Sequence, residues 1–393
     1  MSSGAADLIV VGLGAAGSAA LYHAARRGAR VIGLDRHHPP HDQGSSHGET
    51  RITREAIGEG LEYVPLARRS QLLWREVERE SGETLFSATG LLMISPPGLG
   101  AVHHGKHDFL ERTIEAARAF GIDHEALGPA EVRARYPALH PRDEEVGYFE
   151  PGAGLVHPER CVAAHLALAA RHGARIESGE AVVAIDTLPG GVRVSTAVAC
   201  YEAEQVVVAA GAWAPGLLGG AYERRLALHH QTVHWFAPAD PAAFAPGRFP
   251  VFLWMHGRGA EDWFYGFPEI SPGAGVKIAS EQFARSTATP DDLDRTVTRD
   301  EALTAHGRQV SGRIDGLPDA WVHSSVCVYT TAPESRFVIG RDPERERLIV
   351  VSACSGHGFK HSPAIGEAVA SLALDGSTPP ILAPFGPDRL VGP

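Results

Sequence analysis

The sequence predicts an α/β fold, and three stretches carry that prediction. Leu8-Ile9-Val10-Val11 is an unbroken apolar run with three β-branched residues. It leads into Gly12-Leu13-Gly14-Ala15-Ala16-Gly17, a helix of small residues ending at Gly28, and a second apolar run over 31–34 that ends at Asp35. A similar strand, glycine turn and helix recur near the other end, at 348–353, Gly356 and Gly358, and 362–374. Between them, from 226 to 277, the pattern becomes β-rich and aromatic.

The first stretch has the order of a dinucleotide-binding unit. Gly12 permits the tight turn, Gly14 lets the backbone approach a pyrophosphate, and Gly17 lets the helix pack on the strand. The helix N-terminus with Ala15 and Ala16 offers free N–H groups to phosphate, and Asp35 stands where a carboxylate accepts a ribose hydroxyl.

Composition bounds the rest. A chain of 393 residues accommodates two interleaved domains. The net charge of −11 argues against nucleic acid as a partner and requires dedicated cations for a small anionic substrate. Cys161, Cys200, Cys327 and Cys354 are scattered without a CxxC pair, so neither zinc nor a disulfide framework is expected. No apolar run approaches a membrane span and no basic n-region precedes an apolar signal, so the expected compartment is a reducing cytoplasm.

In chain order, residues 37–48 are polar and irregular. Their histidines lack regular ligand spacing, and no metal is expected there. Arg51 and Arg54 would share one side of a helix, and from this segment alone they read as a solvated basic face. Helices are predicted over 63–79, 107–120, 129–136 and 158–172, and a strand over 91–94. The segment up to about 150 reads as an insertion between halves of the nucleotide domain. Strands follow over 174–176 and 181–185, a hairpin arm over 191–194, and a buried strand over 206–213 that ends in a glycine turn. That turn, at Ala210 and Gly211, either approaches the cofactor or simply ends the strand. Further strands are expected over 232–236, 249–254, 263–267 and 276–279. The last contains Lys277, which either snorkels outward or serves the site. A helix over 291–309 and strands over 326–329, 337–340 and 348–353 complete the pattern, and a proline-rich tail after 375 wraps the surface.

Several motifs resemble one family. Gly44-Ser45-Ser46-His47-Gly48-Glu49-Thr50-Arg51-Ile52-Thr53-Arg54, Gly58-Glu59-Gly60-Leu61-Glu62-Tyr63-Val64-Pro65-Leu66, Tyr265-Gly266-Phe267-Pro268 with Lys277, Cys327-Val328-Tyr329-Thr330 and Ser355-Gly356-His357-Gly358-Phe359-Lys360 are similar to the monomeric sarcosine oxidase and N-methyltryptophan oxidase family, within the D-amino-acid-oxidase-like superfamily. The resemblance implies a Rossmann-like FAD-binding domain interleaved with an α+β substrate domain containing a mixed sheet. The first is expected over 5–60, 150–220 and 330–385, the second over 61–149 and 221–329. It implies an oxidase that turns a secondary amino acid into an imine and passes electrons through FAD to O2, as a monomer or small homo-oligomer.

The resemblance also assigns roles. Cys327 matches the flavin-linked cysteine. Arg51 and Lys277 match a basic pair near the flavin, with Lys277 at the oxygen-activating position. Arg54 and Lys360 match the pair that holds the substrate carboxylate, and Tyr265 and Tyr329 fall in the substrate-side motifs. The cofactor side comprises Gly12, Gly14, Ala15, Ala16, Gly17, Asp35, Arg36, Ser45, His47, Thr50, Arg51, Val183, Ala210, Gly211, Trp213, Cys327, Gly356, His357, Gly358, Phe359 and Lys360.

One departure stands out. Four residues after the lysine the family has a histidine, and here the residue is Glu281. It either meets the amine or a hydroxylated N-substituent, as a similarly placed glutamate does in fructosyl-amine oxidases, or is a strand-end surface residue. Sarcosine is therefore one candidate beside cyclic and fructosyl amino acids. The glycine fingerprint alone would also admit a nicotinamide-dependent dehydrogenase, and the fold alone a non-enzymatic flavin-binding subunit.

Overall fold

The computed structural model describes residues 6–100, 103–259 and 261–391; residue 5, where the first expected domain segment begins, lies outside them. Ala6–Val11 forms the middle of an eight-stranded sheet, paired in parallel with Val31–Asp35 on one side and Cys200–Val208 on the other. Arg175–Ser178 extends the sheet beyond Val31–Asp35, and Leu348–Ser352 pairs in parallel with the end of Cys200–Val208. The strand expected over 206–213 thus ends at Val208 and starts earlier, because its first half pairs with Gly191–Thr196 in an antiparallel hairpin.

Two helices pack closely on this sheet. Ala15–Arg26 crosses Ser362–Asp375 at Gly366, where an added Cβ would stand 2.4 Å from the Ala19 Cβ and 2.6 Å from the Ala20 nitrogen. The small residues of the first helix are what permit this approach.

The second sheet has nine strands and mixes parallel and antiparallel pairs. Val276–Ala279 lies between Ala227–Phe236 and Trp263–Phe267, and Trp321–Thr331 runs antiparallel to Ala227–Phe236 over its whole length. Side chains alternate across a strand. Val276 and Ile278 therefore join an apolar core with Phe252, Trp254 and Phe264, while Lys277 and Ala279 turn to the other face with Trp235. A small third sheet pairs Arg51–Thr53 and Phe86–Ser87 with Gly154–Val156.

Three expectations are corrected. Arg51 and Arg54 do not share a helix: Arg51–Thr53 is a strand, so the two guanidinium groups leave on different sides. The helix expected over 291–309 is shorter. Pro290–Asp292 is a 3-10 turn, and the helix Arg299–Gln309 starts only where Thr298 and Glu301 form a reciprocal capping box. The tail after 375 does not merely wrap the surface, since Leu382 and Phe385 are buried and Phe385 packs on Tyr63 and Phe337.

Candidate active site

A cavity of about 850 Å3 runs from the first sheet's carboxyl edge to the second sheet. Gly12, Gly14, Ala15, Ala16, Asp35, Arg36, Val183, Ala210, Gly211 and Trp213 line one end. Arg54, Glu59, His104, Tyr265, Glu281, Tyr329 and Lys360 line the other, with Ser45, Arg51, Cys354 and 356–359 among the remaining wall residues. This size suits a buried small molecule, and the location fits the crevice outside strand ends where α/β sheets take ligands.

The nucleotide end fits a dinucleotide. Gly12 has φ +87, and a Cβ there would lie 2.6 Å from the Ala209 oxygen; at Gly17 it would lie 1.8 Å from the Gly12 oxygen. The turn therefore accepts glycine alone and presents backbone at the start of Ala15–Arg26. Gly17 does not line the cavity; it packs the helix against the turn. The Ala15 N–H donates to the Ser46 hydroxyl at 3.2 Å. Asp35 is buried and accepts from the N–H groups of Leu13 and His37, both at 2.8 Å. Burial alone would raise its pKa, but His41 and these two donors hold it below the usual carboxylate value. Arg36 lies over the Trp213 ring and pairs with Asp291 at 3.3 Å.

Residues 44–50 connect this end to the second sheet. The Ser45 hydroxyl donates to the Val328 oxygen, and Arg51 donates to the oxygens of Ser45 and Thr50 at 2.8 Å each. His47 is buried, with its Nε2 3.1 Å from the Gly44 oxygen, and burial lowers its pKa to about 4. Gly48 (φ +92) and Glu49 (φ +68) form a left-handed turn whose two N–H groups donate to Glu159 Oε1. That turn aims two backbone oxygens at Lys277. The Lys277 Nζ donates to the Gly48 oxygen (2.7 Å), the Thr50 oxygen (3.0 Å) and the Thr50 hydroxyl (3.3 Å), and the side chain is 2% exposed. It does not snorkel. Burial first, and then the Arg51 charge, push its pKa well below the usual lysine value. Lys277, Thr50, His47 and Cys327 lie behind the cavity wall rather than on it.

Cys327 and Tyr329 are two apart on Trp321–Thr331 and so share a face. Cys327 is buried, whereas Cys354 lines the cavity with its Sγ 4.0 Å from the Ser45 hydroxyl. Burial raises the pKa of both thiols.

The substrate end is a buried charge cluster. Arg54 donates to Glu59 Oε2 at 3.0 Å and to the Ala56 oxygen at 3.1 Å; Lys360 Nζ donates to the His357 oxygen at 2.6 Å. Burial pulls the Lys360 pKa down to about 8, although Glu59 opposes the shift. Glu281 is buried, which removes the surface alternative: it accepts from His104 Nε2 at 2.8 Å and from the Tyr329 hydroxyl at 3.1 Å. The other His104 nitrogen stands 3.4 Å from Glu59. Burial opposes a charge on His104, but Glu281 and then Glu59 overcome it and raise its pKa to about 9. Burial would raise Glu59, yet Arg54, His104 and Lys360 hold its carboxyl well below the usual value.

Glu59 and His104 were not among the expected site residues. Glu59 stood inside a quoted motif, and His104 lies in an irregular segment where no periodicity singles it out. Ligand atoms of Glu59, His103 and His104 lie within 4.8 Å of one another, the spacing of a metal site. Arg54 already supplies the compensating cation, so these groups are balanced as they stand. Arg54, Lys360 and His104 against Glu59 and Glu281 leave one positive charge, the complement of one carboxylate.

Comparison with known proteins agrees with this geometry. The family model "FAD dependent oxidoreductase" matches residues 7–372. A monomeric sarcosine oxidase of Streptomyces avermitilis is 40% identical over 98% of this chain and 97% of its own length. An N-methyl-L-tryptophan oxidase of Salmonella typhimurium is 32% identical over 96% and 97%. The structure of NikD, described as an unusual amino acid oxidase essential for nikkomycin biosynthesis, superposes with a TM-score of 0.83 at 23% identity, covering 98% of each chain, and so supports the fold alone.

The charge count sets a pH dependence. Lys360 and His104 are cationic below their pKa values of about 8 and about 9 and neutral above them. Binding of acetate, a carboxylate with no amine, is expected to weaken by about tenfold or more as pH rises from about 7 to about 10. Titration of the flavin-loaded protein checks this; a dissociation constant that ignores pH would remove both groups from carboxylate binding.

Proposed function

This chain belongs to the FAD-dependent oxidoreductase family, and on that premise we propose that it oxidises the C–N bond of a secondary, N-alkylated α-amino acid. The observation that carries this reading is the buried Arg54 and Lys360 pair opening on the cavity that begins at the dinucleotide turn. FAD, when bound, supplies the acceptor for the substrate's two electrons and hands them to oxygen, which leaves as hydrogen peroxide.

The chain's own residues divide the remaining work. Gly12, Gly14, Ala15, Ala16, Asp35 and Arg36 would hold the nucleotide, and Ser45, Arg51, Ala210, Gly211, Trp213 and 356–359 the remainder. Arg54 offers a planar fork and Lys360 a point charge, which together orient one carboxylate. The amine then loses one hydrogen with its electron pair and one proton, giving an imine that water hydrolyses. The walls that bury Arg54, Tyr329 and Glu281 keep water from competing for these charges.

The reading is tested by a peroxide-release screen over sarcosine, N-methyltryptophan, proline, pipecolate and fructosyl amino acids. One or more should be oxidised, and the matching amines without a carboxylate should not. Equal rates for the carboxylate-free amines would sink it, and turnover that needs a nicotinamide would replace it with the dehydrogenase reading.

Covalent attachment of the cofactor through Cys327 is part of the proposal, supported by its Cys-x-Tyr-Thr setting. Peptide mass spectrometry is expected to find an FAD-sized adduct on the fragment holding Cys327, and Cys327→Ser should leave the flavin extractable by acid. An adduct on the Cys354 fragment instead would move the linkage to the thiol that lines the cavity.

Lys277 is proposed to serve the oxygen half of the reaction. Oxygen develops negative charge as it takes its first electron, and cations held in a site shielded from water stabilise that charge strongly. Lys277→Met should slow reoxidation by orders of magnitude, roughly 10²-fold or more, as loss of one preorganised donor does elsewhere. Anaerobic reduction by substrate should change much less. Stopped-flow measurement of each half separates the roles, because equal losses in both would make Lys277 structural.

A further inference from the structure

We propose that His104 is a positioning residue that compensates the Glu281 carboxylate, so that the site takes the substrate's amine as the free base instead of trapping it as ammonium. The inference rests on the amine-oxidation reading, since only that chemistry needs a free amine.

The cluster poses a problem that His104 solves. An ammonium ion has no lone pair to assist loss of the hydrogen beside it. A bare carboxylate in the substrate end would nevertheless stabilise the ammonium form, because an opposite charge within a few ångströms favours the ionised state by about 1–3 pKa units. Glu281 is such a carboxylate, buried and lining the cavity. It is not bare. His104 Nε2 meets Glu281 Oε2 at 2.8 Å, and the Tyr329 hydroxyl donates to Oε1 at 3.1 Å.

The surroundings of His104 favour its charged form. On its other side lies Glu59, 3.4 Å from the second ring nitrogen, with Arg54 paired to the far oxygen of Glu59. The His103 ring lies 3.8 Å from the His104 ring and that of His357 5.1 Å away; burial holds both neutral. Lys360 feels the same two carboxylates, Glu59 and Glu281. The two carboxylates thus decide the charge of His104, and their pull outweighs its burial.

The fold makes room for the pair at one glycine. A Cβ at Gly356 would lie 2.6 Å from His104 Nε2 and 3.1 Å from Glu281 Oε1. Glycine at that point, φ +83, lets the loop before Ser362–Asp375 close over the ion pair without displacing it. The same loop continues to Lys360, so the pair and the carboxylate subsite are held by one backbone.

Two ligands read the charge balance without turnover. Trimethylglycine carries a carboxylate and a permanent ammonium; acetate carries the carboxylate alone. In the flavin-loaded protein, H104Q leaves Glu281 uncompensated, and the affinity for trimethylglycine relative to acetate is expected to rise about tenfold. E281Q removes the carboxylate that draws the ammonium, so the ratio should not rise, and H104Q/E281Q should return it from the H104Q value toward the wild-type one. In anaerobic reduction by whichever amino acid the screen returns, H104Q should raise the apparent pKa of the limiting rate by about one unit, with recovery in the double variant. A ratio in H104Q equal to wild type overturns the proposal, as does a higher ratio in E281Q, which remains decisive if H104Q does not fold. A protein that oxidises no amine but shows the expected shifts loses the oxidase reading and keeps the charge compensation. One that oxidises amines with unshifted ratios loses only the compensation.

Discussion

The pairing of Arg54 with Glu59 is the interaction on which the substrate end depends. Removing two charges from water costs several kcal/mol per ion, and only close geometry with further hydrogen bonds recovers it. Here the guanidinium meets Glu59 at 3.0 Å, and the second Glu59 oxygen faces His104 and His357 at 3.4 and 3.9 Å. Glu59 is therefore the anion around which three basic side chains are gathered. Its place is set by close packing, since a Cβ on the neighbouring Gly58 would lie 2.6 Å from the Thr113 hydroxyl and 2.9 Å from the Phe109 oxygen. Loss of Glu59 would leave Arg54 buried without its carboxylate partner, and that costs far more than losing a surface ion pair.

The two sheets meet through a short stretch of chain. Residues 44–59 leave the nucleotide end, hydrogen-bond to Trp321–Thr331 at Ser45, form the strand Arg51–Thr53 against Gly154–Val156, and end at Glu59. The helix Pro158–Arg171 follows that partner strand and carries Glu159, which holds the turn at Gly48 and Glu49. Side chains for both ends of the cavity thus come from one continuous run fixed on three sides. The second sheet supplies the opposite wall: Tyr265 and Phe267 on one strand, Glu281 just past the end of Val276–Ala279, and Tyr329 on a third, with Lys277 and Cys327 behind them.

Much of this was legible where local chemistry is strong. The glycine turn, its flanking strands and the helix Ala15–Arg26 follow from steric demands that one sequence segment states completely. Lys277 inside an apolar strand left snorkelling and a place in the site both open, and nothing local named Gly48 and Thr50 as the partners that bury it. The segments that misled were those where distant pairing decides. Arg51 and Arg54 carry a spacing that suits a helix, but Gly154–Val156, about a hundred residues away in sequence, draws Arg51–Thr53 into a sheet. Residues 291–298 look helical by composition, yet the helix waits for the Thr298 cap. His104 left no periodic trace because it acts through a loop, and only the folded chain brings Glu59 and Glu281 to either side of it.

The surroundings of Lys277 show the same economy with the opposite sign. The Thr50 oxygen accepts from both Arg51, at 2.8 Å, and Lys277, at 3.0 Å, so one backbone carbonyl anchors two basic groups. Among the described residues no carboxylate is bonded to Lys277; its Nζ partners are the oxygens of Gly48 and Thr50. Burial first, and then Arg51, therefore weaken the hold of Lys277 on its proton. Such a group responds to its surroundings: negative charge forming in the adjoining cavity offsets the Arg51 repulsion and strengthens proton binding at Nζ. At the other end of the cavity Arg54 and His104 are each paired with a carboxylate. The lysine's charge is left free to follow the charge beside it, and that freedom is set by the left-handed turn at Gly48 and Glu49, which delivers carbonyl oxygens in place of an acid.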